Sequence, residues 1–235
     1  MDFSTEKMLF EVDNSDEGSA GGVSLATKPR ARKLTSRTDK RVAKTRTKLL
    51  KAALEVFSEY GVDAATIDDI TERADLGKGT FYRHFGDKRE IITCLVEDAI
   101  EHLINSLNNY KTKSNTIEDV LEQLLDVHYK FFLENGDEFT LLFQGRLLLN
   151  LDRKISEQME TPFNNYLEQI ENHISPFVSE KVDIIRIRRL AGAVAGFVFG
   201  FFSFTMIGMG TDEIATSIKP LRQSFVRSLS SFLAQ

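Results

Sequence analysis

The sequence predicts an all-α protein, and three observations carry that expectation. Apolar residues recur at three- and four-residue spacing along most of the chain, the period of helices that bury one face. Only 4 prolines interrupt the 235 residues. No alternating apolar–polar run bounded by hairpin turn residues marks a strand. Hydrophobic residues make up 42% of the chain, with 18 phenylalanines among them, which suffices for a sizeable core.

The elements follow in order. Residues 1–38 show no period and hold Ser, Gly and Asp clusters such as DNSDEGSAGG, so a disordered extension is expected there. Its apolar Met8-Leu9-Phe10 is the one patch suited to docking. A helix starts near Lys40, with Leu49, Leu50, Ala53, Val56 and Phe57 on its inner side and Gly61 as C-cap. Thr66 caps a short helix that buries Ile67, Ile70 and Ala74, and Asp69 stands at capping-box distance. Asp75-Leu76-Gly77 breaks it. A second short helix runs from Lys78 to Phe85 and buries Phe81 and Phe85. Gly86 ends it, and Asp87, with Glu90 three residues on, caps a long helix to Tyr110.

Further helices are expected over Thr116–Glu134, Glu138–Asn150, Lys154–Ser175 and Val182–Met209, and over a last segment to Phe232. Pro162 is expected to divide the helix that contains it. Pro220 is expected in the first turn of the last helix, which leaves Thr211–Ile218 as a separate short turn. This organisation gives an extension over 1–38, a compact head over 39–92 and a larger body over 93–235.

Charge is segregated along the chain. Net charge is −5. Residues 1–27 carry six acids against Lys7, whereas residues 28–51 carry eleven Lys and Arg against Asp39. Such asymmetry points to a polyanionic partner or, more plainly, to a solvated tail and helix face. The single cysteine, Cys94, excludes an internal disulfide framework and fits a reducing cytoplasm. No basic stretch followed by an apolar run opens the chain, so a secretory signal is not expected.

Residues 76–90, LGKGTFYRHFGDKRE, admit three readings. A phosphate loop would need a glycine where Glu72 stands and Ser or Thr where Gly79 stands, after a strand that is lacking here. A metal site would need partners that His84, His102, His128 and His173 do not offer at ligand spacing. A helix-turn-helix accounts for every residue type. Its second helix would bring Lys78, Gly79 and Thr80 to a DNA groove, with glycine allowing close backbone approach. Tyr82, Arg83 and His84 would project opposite Phe81 and Phe85 toward phosphates or base edges. Lys88 and Thr66 would add phosphate contacts. A structural helical hairpin with solvated charges satisfies the pattern as well.

The stretch from Arg46 to Ile92, RTKLLKAALEVFSEYGVDAATIDDITERADLGKGTFYRHFGDKREII, closely resembles the DNA-binding segment of TetR-family transcriptional regulators. Matches include Ala52-Ala53, Phe57, Gly61, Thr66, Ile70, Gly77, Thr80, Tyr82, His84, Phe85, Gly86 and Lys88, in order and spacing. The resemblance implies a homodimer with a three-helix DNA-binding head on a larger helical ligand-binding and dimerisation body. It implies a cytoplasmic repressor that releases a palindromic operator on double-stranded DNA when a small molecule binds. Thr66, Lys78, Gly79, Thr80, Tyr82, His84 and Lys88 fall on DNA-contacting positions of the family, and Arg83 falls where the family varies, which makes it the candidate for sequence preference. The extension departs from the pattern, and its basic part from Lys28 to Arg37 would serve as a minor-groove arm.

The body holds an uncharged run, LAGAVAGFVFGFFSFTMIGMG, over Leu190–Gly210. Its length, its glycines at 192, 196 and 200 and the preceding RIRR fit a membrane span, and hence a membrane-tethered adaptor. The helix-turn-helix context and the amphipathic Leu221–Phe232 favour instead a helix buried on all sides between body and partner subunit, with no membrane. His128, Phe132, Phe143, Gln144, Arg146, Tyr166, Phe197 and Phe201 are candidate ligand-binding residues for a hydrophobic or aromatic effector; most such phenylalanines are ordinary core. An enzyme acting on a hydrophobic substrate is the remaining alternative. With no nucleophile–base pair, metal set or cofactor motif in sight, neither enzymatic activity nor a cofactor is expected.

Overall fold

The computed structural model describes residues 37–109, 115–148, 153–179, 182–208 and 211–234. The extension expected over 1–38, with its Met8-Leu9-Phe10 patch and the Lys28–Arg37 arm, therefore lies outside the described residues, apart from Arg37 and Thr38, which open the first helix. Every element among the described residues is helical: α1 (Arg37–Tyr60), α2 (Ile67–Arg73), α3 (Lys78–Phe81), α4 (Lys88–Asn109), α5 (Ile117–Glu134), α6 (Gly136–Leu148), α7 (Arg153–Ile174), α8 (Ile184–Gly208) and α9 (Thr211–Ala234), with a 3-10 turn at Ser175–Phe177.

The head is built from short-range signals. α1 buries Leu49, Ala52, Ala53, Val56 and Phe57 along one side. Gly61 ends it at φ +81, a conformation that costs glycine little. Thr66 then starts α2 with a complete capping box: its hydroxyl accepts the Asp69 N–H, and the Asp69 carboxylate accepts the Thr66 N–H. Thr116 and Asp119 repeat the device at the start of α5. α2 closes in a Schellman pair, Leu76 N–H to Thr71 O and Asp75 N–H to Glu72 O, with Asp75 left-handed at φ +48. α3 is shorter than its spacing suggests, because after Phe81 the chain continues as a turn through His84. At the start of α4, Glu90 N–H donates to Asp87, but the Glu90 carboxylate reaches one residue further back, to Gly86 N–H.

α4 is the shared strut. It contacts α1 in the head and α5, α6 and α7 in the body. Its buried side runs Ile91, Ile92, Leu95, Val96, Ala99, Ile100, Leu103 and Leu107, and the core is continuous along it from α1 to the later helices. α7 and α8 pack together, and α9 lies mainly on α5.

Two proline expectations are overturned. α7 is one helix through Pro162, and α9 is one helix from Thr211 through Pro220, with no separate turn before it. Proline removes one helical hydrogen bond, and at position 162 the carbonyl that loses its partner belongs to solvent-exposed Gln158. Met159, Tyr166, Ile170 and Ile174, all buried, hold α7 in place on both sides of the proline.

The uncharged run is corrected too. Among the described residues no helix is long and apolar enough to cross a membrane. α8 is not uniformly buried. Leu190, Ala191, Val194, Val198, Phe199 and Phe202 face the core, while Gly192 and Gly196 are exposed. The RIRR segment is used inside the fold: Arg188 pairs with Glu171 at 2.6 Å, and Arg186 lies over the Phe232 ring at 5.1 Å.

Candidate nucleic-acid interface

Helical spacing splits residues 78–85 into two sides. Phe81 and Phe85 are fully buried and pack against each other with ring centroids 5.7 Å apart. Lys78, Gly79, Tyr82 and Arg83 are exposed, and Thr80 and His84 are half-buried. Tyr82 leaves 57% of its surface in solvent, its ring edge against Phe81. An aromatic ring held outward in this way is a poor use of apolar surface unless something stacks on or binds it.

The polar groups are partly pre-arranged. Arg83 donates from Nε to the Gly79 carbonyl at 3.2 Å and from Nη2 to Thr80 Oγ1 at 2.8 Å, so the guanidinium lies along α3. Lys78 pairs with Asp68 at 2.6 Å, a solvent-exposed contact that contributes little and exchanges readily. A Cβ built on Gly79 would meet nothing within 4 Å, so no packing inside the protein requires glycine there. Burial lowers the pKa of His84, and nearby Arg83 and Arg46 lower it further, so near neutral pH its imidazole offers hydrogen bonds rather than charge. Lys40, Arg41, Lys44, Lys48 and Lys51 along α1 are all exposed. Arg46 is not part of that solvated run. Its guanidinium lies 4.5 Å from the Phe85 ring centre and donates to Cys94 Sγ at 3.1 Å, binding α1 to the start of α4.

Two further DNA-contact candidates, Thr66 and Lys88, are engaged in holding the backbone. The Thr66 hydroxyl donates to Asp69 at 2.6 Å besides accepting its N–H, so it serves the cap. These bonds hold the Asp69 carboxyl below the usual range, the Thr66 hydroxyl contributing most. Lys88 reaches back to the α1–α2 connection and donates to the carbonyls of Val62 at 2.8 Å, Asp63 at 3.3 Å and Ala65 at 2.8 Å. An ammonium has three donors, and all are used. Nothing in the sequence near Lys88 signals this, because its partners lie across the head.

The ligand candidates fall into separate groups. His128 and Tyr166 are both buried. His128 Nδ1 donates to the Leu124 carbonyl at 2.6 Å, and Nε2 accepts the Tyr166 hydroxyl at 2.7 Å. Burial pushes the His128 pKa down to about 4, so the ring is neutral. Phe132 stacks on Phe202 at 4.4 Å and meets Phe139 edge-on. Phe197 stacks at 4.2 Å on Phe225 of α9, with Phe201 beside it. Gln144 turns to the head, its side-chain oxygen accepting Val62 N–H at 3.0 Å. The side chains of Phe143 and Arg146 lie outside the described residues. An apolar groove of about 240 Å3 runs between α7 and α8 along Phe163, Tyr166, Leu167, Gly192, Gly196 and Phe199.

Known proteins share both parts of this arrangement. The sequence profile of bacterial regulatory proteins of the tetR family matches residues 49–93, from the core of α1 into α4. The HTH-type transcriptional regulator YvdT of Bacillus subtilis is 30% identical over 125 residues, 53% of this chain. That stretch spans 64% of the length of YvdT, just under two thirds. IcaR of Staphylococcus aureus, the negative regulator of the biofilm operon icaADBC, is 26% identical over 133 residues, 57% of this chain and 69% of that protein. In fold, the chain is similar to the regulator FadR of Bacillus subtilis solved with stearoyl-CoA, with a TM-score of 0.62 and 18% identity over 78% of this chain and 96% of that one.

Proposed function

We propose that this chain, whose residues 49–93 match the profile of bacterial regulatory proteins of the tetR family, is a cytoplasmic, homodimeric transcriptional repressor of that family, not an enzyme, that releases a palindromic operator when a hydrophobic or aromatic small molecule binds its helical body. The observation that carries the reading is the two-sided character of 78–85. Phe81 and Phe85 lock the segment to the head, and Lys78, Gly79, Thr80, Tyr82, Arg83 and His84 are left for a duplex groove. Thr66 and Lys88 contribute by fixing the backbone that presents these groups.

The effector reading rests on composition and likeness. Rings of α5, α6 and α8 crowd the interior of the body, and the FadR neighbour was solved with a long acyl thioester. A ligand carrying a long acyl chain is therefore the first class to screen, with Phe132, Phe143, Phe197 and Phe201 as lining and His128, Tyr166 and Arg146 as polar partners. α4 touches head and body, so a ligand favouring one placement of α4 shifts the heads. The exposed glycine side of α8 offers the second copy a surface on which two backbones approach closely.

Selection of bound fragments from a randomised duplex pool tests the function, and a chain that enriches nothing at low ionic strength overturns it. Tyr82→Ala should weaken the selected duplex about five- to ten-fold with the melting temperature unchanged, the loss expected for one stacking or hydrogen-bonding group. Gly79→Ala should separate stability from binding. Alanine is the better helix former by up to about 1 kcal/mol, so the variant should melt no lower, yet its added methyl stands where the duplex must approach. Unchanged affinity in both variants would remove this segment from the interface.

A further inference from the structure

We propose that Gln144, a residue of the body, is a positioning residue for the DNA-reading unit: through it, α6 sets where α2 and α3 stand. This inference rests on the DNA-binding function proposed above and assigns that site a control point. The α1–α2 connection, residues 61–65, leads straight into Thr66, the cap of α2. The backbone of one residue in it is held from two sides. Val62 N–H donates to Gln144 Oε1 at 3.0 Å, and Val62 O accepts from Lys88 Nζ at 2.8 Å. Ala65 O, next to the cap, accepts from the same ammonium at 2.8 Å. The start of α2 is thus located by one side chain from α4 and one from α6.

α6 makes two more polar contacts in the same direction. Ser58 of α1 donates to Asp137 at 2.6 Å, and His102 of α4 meets Glu138 at 2.9 Å. Both are side-chain pairs near the surface, where water can replace either partner. Gln144 differs, because it satisfies a part-buried backbone donor that loses its partner when α6 shifts. The opposite side of α6 is buried: Phe139 stacks on Phe199 at 5.3 Å and meets Phe132 edge-on at 5.1 Å. Any occupant of the body that displaces those rings moves α6, and the Val62 contact carries the displacement to the cap of α2 without passing along α4.

Two variants test this. Gln144→Met keeps length and helix propensity and removes the acceptor oxygen. Gln144→Glu keeps an acceptor oxygen. Hydrogen exchange at the Val62 amide and anisotropy titrations with two duplexes are read for each, one duplex selected by the wild-type chain and one unselected of equal length. Gln144→Met should exchange Val62 about ten-fold faster and bind the selected duplex about five- to ten-fold more weakly, the loss of one hydrogen bond. The unselected duplex should bind as before, and Gln144→Glu should restore both readouts. Wild-type affinity in Gln144→Met, or equal weakening on both duplexes without recovery in Gln144→Glu, overturns the inference. A wild-type chain that binds neither duplex is a different failure, since it removes the DNA-binding function itself and this inference with it.

Discussion

Lys88→Met should destabilise the protein by about 2–3 kcal/mol, read as a lower urea midpoint with an unchanged slope. The ammonium donates to three carbonyls in a connection that has little helical hydrogen bonding of its own. A hydrogen bond to a charged donor contributes about 1.5–3 kcal/mol, and the three share one charge, so their energies do not simply add. Methionine keeps the aliphatic stem and its packing. The loss of duplex affinity that accompanies this change should follow the folded fraction. A variant that is fully stable yet blind to DNA would instead make Lys88 a direct phosphate contact.

Acid should cost the protein on the order of 3 kcal/mol between about pH 6.5 and pH 4 through His128 alone. The sign follows from burial. In the unfolded chain the imidazole takes a proton near 6.5, but in the fold it resists until about 4, because the ring is sealed between α5 and α7 with Tyr166 on Nε2. Above 6.5 neither state is charged and the stability is whole. As pH falls the unfolded state gains the proton first, so stability drops, and below about 4 this contribution levels off. His173, half-buried with a lowered pKa, acts in the same direction. Glu97 and Asp98 act oppositely: burial chiefly raises their pKa values, so the fold binds their protons first. The difference between wild type and His128→Gln isolates the histidine, since glutamine can bond Leu124 and Tyr166 without titrating. Identical pH profiles for the two proteins would contradict the buried neutral ring.

The head was legible because its signals are local. Thr66 and Asp69 stand three apart, Gly61 follows the last apolar turn of α1, and the spacing of Phe81 and Phe85 assigns the buried side. Helix α5 was expected from Thr116 on, and the Thr116–Asp119 capping box that starts it is a local device that the same spacing rule would have found. Pro162 and Pro220 misled, because a local rule about broken hydrogen bonds gave way to packing along the whole helix. The polar contacts were hidden for another reason: Val62 and Gln144 are 82 positions apart, and no periodicity links them. His128 and Tyr166, read from sequence as ligand anchors, first satisfy each other, a pairing visible only once α5 and α7 lie side by side. The run at 190–210 looked uniform because residues of very different size are alike in being uncharged.

That difference in size has a consequence. On α8, Gly192 and Gly196 line the groove against α7 together with Phe163, Tyr166 and Phe199, whereas Val194, Val198 and Phe202 are buried in the core. A larger side chain at Gly192 or Gly196 would therefore enter that groove as well as change what can lie alongside the helix. Sites that share neighbours couple, so their energies do not simply add. The outer face of this helix and the groove beside Tyr166 are therefore redesigned together or not at all.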